Sequence, residues 1–117
     1  MTQEERQLFL IDLSARFPYN VAVDCRSEES RFTCYLTSDM LREIQNNNCY
    51  WEYKTYLFPL SSMTPKQKSE LSMLTANSER MFDSTLIEID FYHKHHIDYR
   101  GLIEKGLAID ATGLNIY

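Results

Sequence analysis

Apolar residues recur at Leu8, Ile11 and Ala15, with Phe9, Leu10 and Leu13 widening the stripe. That spacing predicts an amphipathic helix over residues 3–16. Thr2 and Glu5 stand three apart at its start, the pattern of a capping box. Pro18 disfavours helical geometry at Phe17 and ends the helix there. The period then changes to two. Val21, Val23 and Cys25 alternate over residues 20–26, and Phe32, Cys34 and Leu36 over 31–36. The polar run Ser27–Ser30 lies between them, so a hairpin is predicted. Thr37 and Ser38 compete to cap a helix through Gln45 whose inner residues are Met40, Leu41 and Ile44. Asn46–Asn48 stop it.

Residues 49–58 are dense in aromatic and β-branched side chains, which predicts a third strand ended by Pro59. Thr64, Pro65 and Gln67 form a second capping signature, opening a helix to about Ala76 that turns Leu71 and Leu74 inward. Residues 77–84 show little periodicity and read as a loop or irregular extension. Leu86, Ile89 and His93 fit a helix to about His95. Leu102, Ile103 and Leu107 fit a short helix between Gly101 and Gly106. Gly113 interrupts the tail, where Leu114 and Ile116 suggest a short docked edge. The fold class is therefore α+β: a small antiparallel sheet of about three strands packed against the N-terminal helix and the C-terminal helices.

The chain has 117 residues, enough for one domain with a core of its own. Its net charge is −5, and Arg6, Arg16, Arg26, Arg31, Arg42 and Lys54 are scattered singly. That distribution describes a solvated mixed-charge surface and argues against a nucleic-acid partner, which calls for a basic face. An acidic surface meeting a basic partner is the sharper alternative. Cys25, Cys34 and Cys49 have no CxxC or CxxH spacing, so neither a zinc site nor a disulfide framework is indicated. The polar N-terminus and the short apolar runs predict no signal peptide and no membrane span. The cytoplasm of a bacterial host cell is the expected location. Eight Tyr residues, apolar in body and polar at the tip, imply rings at the core boundary or at an interface.

Residues 90–110 concentrate the candidate chemistry: all three histidines, two of the three glycines, and acidic and basic side chains between apolar anchors. Asp90, His93 and His96 are spaced i, i+3, i+6, which on a helix would offer two imidazoles and a carboxylate to Zn²⁺ or Fe²⁺. The HExxH arrangement is absent. The plainer role for these histidines is to cap a helix end, favoured there by the dipole, or to pack half-buried. Asp98-Tyr99-Arg100-Gly101 reads first as a capping turn, with Arg100 paired to Asp98, Glu104 or Asp90. Alternatively, Arg100 and Tyr99 with His95 or His96 would grip a small anionic ligand such as a nucleotide. Tyr50, Trp51 and Tyr53 are candidates for a partner or oligomer contact. Ser61-Ser62 lack a nucleophile elbow, Cys49 has no local partner to activate it, and no phosphate loop is present. No cofactor is indicated.

Two passages, Tyr56-Leu57-Phe58-Pro59-Leu60-Ser61-Ser62-Met63-Thr64 and His95 through Ala108, resemble a group of small proteins widespread among gut Bacteroidales and their phages and mobile elements. The likeness covers about the C-terminal half. The group often carries Arg where this chain has Phe58. The resemblance implies a phage or mobile-element protein that binds a host component, in one form an inhibitor of host defence, and it brings no catalytic residues. Non-enzymatic binding of a host protein or small anionic ligand is the leading expectation. A small metal-dependent or acid–base hydrolase centred on the His-rich segment, and an assembly subunit, are the alternatives.

Overall fold

A computed structural model describes residues 1–47, 50–76 and 81–117, the side chains of 81 and 82 aside. Helix α1 (Gln3–Arg16) leads through a 3₁₀ turn into the hairpin β1 (Ala22–Arg26) and β2 (Arg31–Tyr35). Then come α2 (Ser38–Gln45), β3 (Glu52–Pro59), α3 (Pro65–Ala76) and α4 (Met81–Lys94). Two short strands close the chain, β4 (Ile97–Asp98) and β5 (Ala108–Asp110). The class is α+β, as the periodicities predict.

Local signals act where the sequence puts them. Thr2 and Glu5 exchange side-chain-to-backbone bonds, and so do Thr64 and Gln67. Each exchange satisfies amides that a helix start otherwise leaves unbonded. Thr37 wins over Ser38, its hydroxyl accepting from Met40 N. Pro18 sits in the 3₁₀ turn, and Asn20 reverses the chain in left-handed geometry.

The sheet is mixed rather than wholly antiparallel. β1 pairs antiparallel with β2 and with β3, while β4 and β5 both lie parallel to β3. Leu57 O accepts from Ala111 N, and the next residue, Phe58, donates its N–H to His96 O. Alternate strand residues bond to opposite sides, so β5 lies on one flank of β3 and β4 on the other. The expected helix between Gly101 and Gly106 is a single turn closed by bonds to Gly101 O, Leu102 O and Ile103 O. Gly101 and Gly106 bracket it at φ 75° and 74°, geometry that side-chain-bearing residues avoid. β3 begins at Glu52, three residues later than expected; Cys49 lies outside the described residues. α4 begins five residues earlier than expected, with Asp83 favourable in its first turn. Residues 77–80 of the predicted loop lie outside the described residues. The tail forms no strand; it docks through Tyr117.

One sheet face carries the main core: Val23, Cys25, Tyr53 and Leu57 meet Phe9 and Leu13 of α1, Ile44 of α2, and Leu102 and Leu107 of the late turn. The other face buries Ala22, Tyr56 and Ala111 with Phe58, Ile109 and Ile116 against them. The buried stripe of α1 is Phe9, Asp12, Leu13 and Arg16, whereas Ile11 is 57% exposed. Apolar periodicity alone rotates the helix wrongly, because it counts two charged residues as solvent-facing. α3 packs along α4, buries none of its own residues, and draws the molecule out to 49 × 29 × 23 Å.

Thr55 is fully buried on β3, between Val23 and Ala108 in register, and its hydroxyl has no hydrogen-bond partner. A buried hydroxyl without a partner costs about 1–3 kcal/mol. Thr55→Val keeps the shape and removes the group, so it should stabilise the protein by about 1 kcal/mol. Urea unfolding checks this; a lower midpoint for Thr55→Val would show that the hydroxyl is bonded.

Candidate functional site

Asp12 and Arg16 lie one turn apart on the inner face of α1. Arg16 is 0% exposed, and its Nε donates to Asp12 Oδ2 at 2.7 Å. Its remaining nitrogens reach backbone carbonyls beyond the helix: Nη2 to Ile97 O at 2.6 Å and Nη1 to Tyr92 O at 3.4 Å. The second oxygen of Asp12 accepts from Arg100 Nε at 3.0 Å. The isolated spacing of Arg16 assigns it to the surface; the structure corrects this, because Asp12 and two carbonyls replace the water it loses. Arg100 finds a partner 88 residues away, not the expected Asp98, Glu104 or Asp90.

The Tyr99 ring lies near both guanidiniums, 5.6 Å from Arg16 Cζ and 4.9 Å from Arg100 Cζ. Its hydroxyl is 2.6 Å from His93 Nε2, and its ring stacks on Tyr92 at 5.5 Å. Burial pushes the Tyr99 hydroxyl up and the His93 imidazole down, the latter helped by Arg16. Both are therefore neutral near pH 7, which suits a site already holding two guanidiniums against one carboxylate. Asp98 accepts from Leu102 N and Ile103 N at 3.0 Å each, the capping role expected of it. Arg100, with its side chain 26% exposed, is the charged member of the cluster that meets solvent.

His95 and His96 form a second group. His96 turns the chain after α4 at φ 58°, a left-handed conformation that costs an ordinary residue about 1–2 kcal/mol. Its ring stacks on Tyr117 with centroids 3.7 Å apart and planes 9° from parallel. The Tyr117 hydroxyl accepts from Ala22 N at 2.9 Å and donates to Tyr56 O at 2.7 Å. One further step of the β1–β3 register would bond that amide to that carbonyl directly. Tyr117 thus splices the ladder where β1 leaves β3 and β4 takes over. His95 packs against Phe91 at 4.3 Å. His95 Nε2 and His96 Nδ1 are buried without partners. Burial, then Arg16 and His95, push the His96 pKa down to about 4.

The residues suggested as a metal set are not brought together. Asp90 accepts from Tyr19, His93 is bonded to Tyr99, and His96 is stacked on Tyr117. Among the described residues no three His, Cys, Asp or Glu side chains group as metal ligands.

The remaining candidates divide. Tyr53 is buried in the core, its hydroxyl donating to Glu43 at 2.6 Å. Tyr50 and Trp51 instead join Phe32 in an edge-to-face row, with centroid separations of 5.4 and 5.0 Å. Tyr50 is 69% exposed and Phe32 46%. Phe32 escapes sequence reading because alternation on β2 turns it toward the core face, and only the structure shows that it stays exposed there. Comparison of the chain with protein-family models, curated proteins and solved structures found no match.

The low His96 pKa has a pH signature. Unfolded, the imidazole titrates near 6.5; folded, it titrates near 4. Between these values the unfolded chain binds more protons, so stability falls as pH drops through this window. Urea unfolding at pH 7.5 and 5 should show a loss that shrinks in His96→Asn, which tolerates left-handed geometry. An equal loss in the variant would place the titration elsewhere.

Proposed function

We propose that this chain is a non-enzymatic binding protein that takes hold of another protein through Phe32, Tyr50 and Trp51. The observation that carries this reading is the exposed ring-on-ring row at the turn end of the β1–β2 hairpin. Large exposed aromatics in contact mark interaction surfaces, and Trp and Tyr supply a disproportionate share of binding energy there. The polar groups of the His-rich segment support a structural role. Arg100, Tyr99, His93 and Asp98 each already hold a partner within the fold. No described helix is long and apolar enough to cross a membrane.

The resemblance of residues 56–64 and 95–108 to proteins of Bacteroidales phages and mobile elements supplies the context. The partner is then a host component, and inhibition of a host defence protein is one form of the activity. A second reading, capture of a small anionic ligand, is favoured by one observation: Arg100 brings the second positive charge of the cluster to solvent.

Capture from host lysate on immobilised protein distinguishes the two. Wild type should retain a protein that Trp51→Ala loses and Arg100→Ala keeps; a buried Trp anchor costs at least about 2 kcal/mol on truncation, roughly thirtyfold in affinity. Equal retention by wild type and Trp51→Ala would remove the aromatic row as the binding surface.

A further inference from the structure

β2 is the outermost strand on its side of the sheet, and among the described residues only β1 pairs with it. Every residue of β2 except Cys34 is exposed. The bonding pattern of the hairpin decides what that edge offers. Leu36 N donates to Val21 O at one end of the ladder, and Ser27 N to Ser30 O at the other. Bonded and non-bonded pairs alternate in an antiparallel ladder. Cys25–Phe32 and Val23–Cys34 are therefore the bonded pairs, and Arg31, Thr33 and Tyr35 turn their amides and carbonyls outward.

Natural sheets blunt such an edge with Lys, Pro, a bulge or a covering loop. β2 reads Arg-Phe-Thr-Cys-Tyr, with no Lys or Pro, and it keeps register with β1 through all five pairs. Its one charged side chain, Arg31, is drawn to Asp24 at 2.8 Å, back across the sheet and away from the edge.

We infer that two copies of this chain pair antiparallel along β2, with Thr33 on the two-fold axis. The strand is self-complementary in that register. Thr33 meets Thr33 of the second copy, small against small. Arg31 meets Tyr35 with its guanidinium held back on Asp24, and no like charges stand opposite one another. Arg31–Tyr35, Thr33–Thr33 and Tyr35–Arg31 become bonded pairs and use every outward group on the edge. On the core face, Phe32 faces Cys34 and lies diagonal to Phe32 of the second copy, within aromatic reach. The two aromatic rows then lie on one face of a single continuous sheet. An interface confined to one strand and its flanking rings is small, so the dimer is concentration-dependent. The inference goes beyond the partner-binding reading and fails separately from it.

Sedimentation equilibrium with thiols reduced tests this. Wild type should move from 13.9 kDa toward twice that mass as its concentration rises. Thr33→Pro deletes an outward donor while sparing both bonded pairs to β1, and Thr33→Lys puts two ammonium groups at the axis; both should stay monomeric with unchanged circular dichroism. Thr33→Val, which loses only the marginal 3.5 Å contact with the Tyr56 hydroxyl, should still dimerise. A wild-type monomer at near-millimolar concentration overturns the inference. So does a dimer that Thr33→Pro and Thr33→Lys leave intact. If wild type is monomeric but binds a lysate protein that Thr33→Pro loses, the edge accepts a strand from another protein and the self-pairing is wrong.

Discussion

The Asp12 carboxylate, held between Arg16 and Arg100, is the contact on which the arrangement of the chain depends. Its two oxygens take one guanidinium from its own helix and one from a turn 88 residues later. Arg16 extends the link, because its other nitrogens end on the carbonyls of Tyr92 and Ile97. One buried ion pair thus ties α1 to the last turn of α4, to β4 and to the loop that follows. Burying these charges is costly, and the attraction offsets the cost only where hydrogen bonds occupy the remaining donors and acceptors. Here the carbonyls of Tyr92 and Ile97 do so for Arg16, the Tyr99 ring lies near both guanidiniums, and His93 stays neutral beside them.

Around that anchor the late strands find their places. β4 and β5 are two and three residues long, too short to hold register by their own pattern. β4 is positioned by Arg16 on the carbonyl of Ile97, and the turn after it by the carboxylate of Asp98. Tyr117 completes the join by taking over one ladder bond between β1 and β3. The side chains of His93, Asp98, Tyr99 and Arg100 are thereby bonded inside the molecule. Among the described residues the β2 edge and the aromatic row beside it stay exposed, and the proposed binding surface lies there.

Much of this fold is legible in the sequence, and the parts that are not have two causes. The capping boxes at Thr2 and Thr64, the hairpin, and the stop before Pro18 depend on neighbours within a few residues, and all stand where the pattern puts them. The parallel pairing of β4 and β5 with β3 depends on residues about 40 and 50 positions apart and leaves no periodic trace. The Asp12–Arg16 pair did leave one. Asp12 follows Phe9 by three and Arg16 follows Leu13 by three, so both fall on the stripe that Phe9 and Leu13 bury, at the i, i+4 spacing that lets opposite charges meet. Reading charged residues as solvent-facing hides that signal. Nothing in the sequence joins Arg100 to Asp12 across 88 residues, and nothing in it joins Phe32 to Trp51.

The most direct test of the account is the unfolding free energy of Asp12→Ala set beside that of the double variant Asp12→Ala, Arg16→Met. If the buried pair anchors the fold, the single change strands a guanidinium in the core and costs about 3–5 kcal/mol. The double change removes that guanidinium and recovers most of the loss. A single variant within about 1 kcal/mol of wild type, the range of an exposed ion pair, would contradict the account.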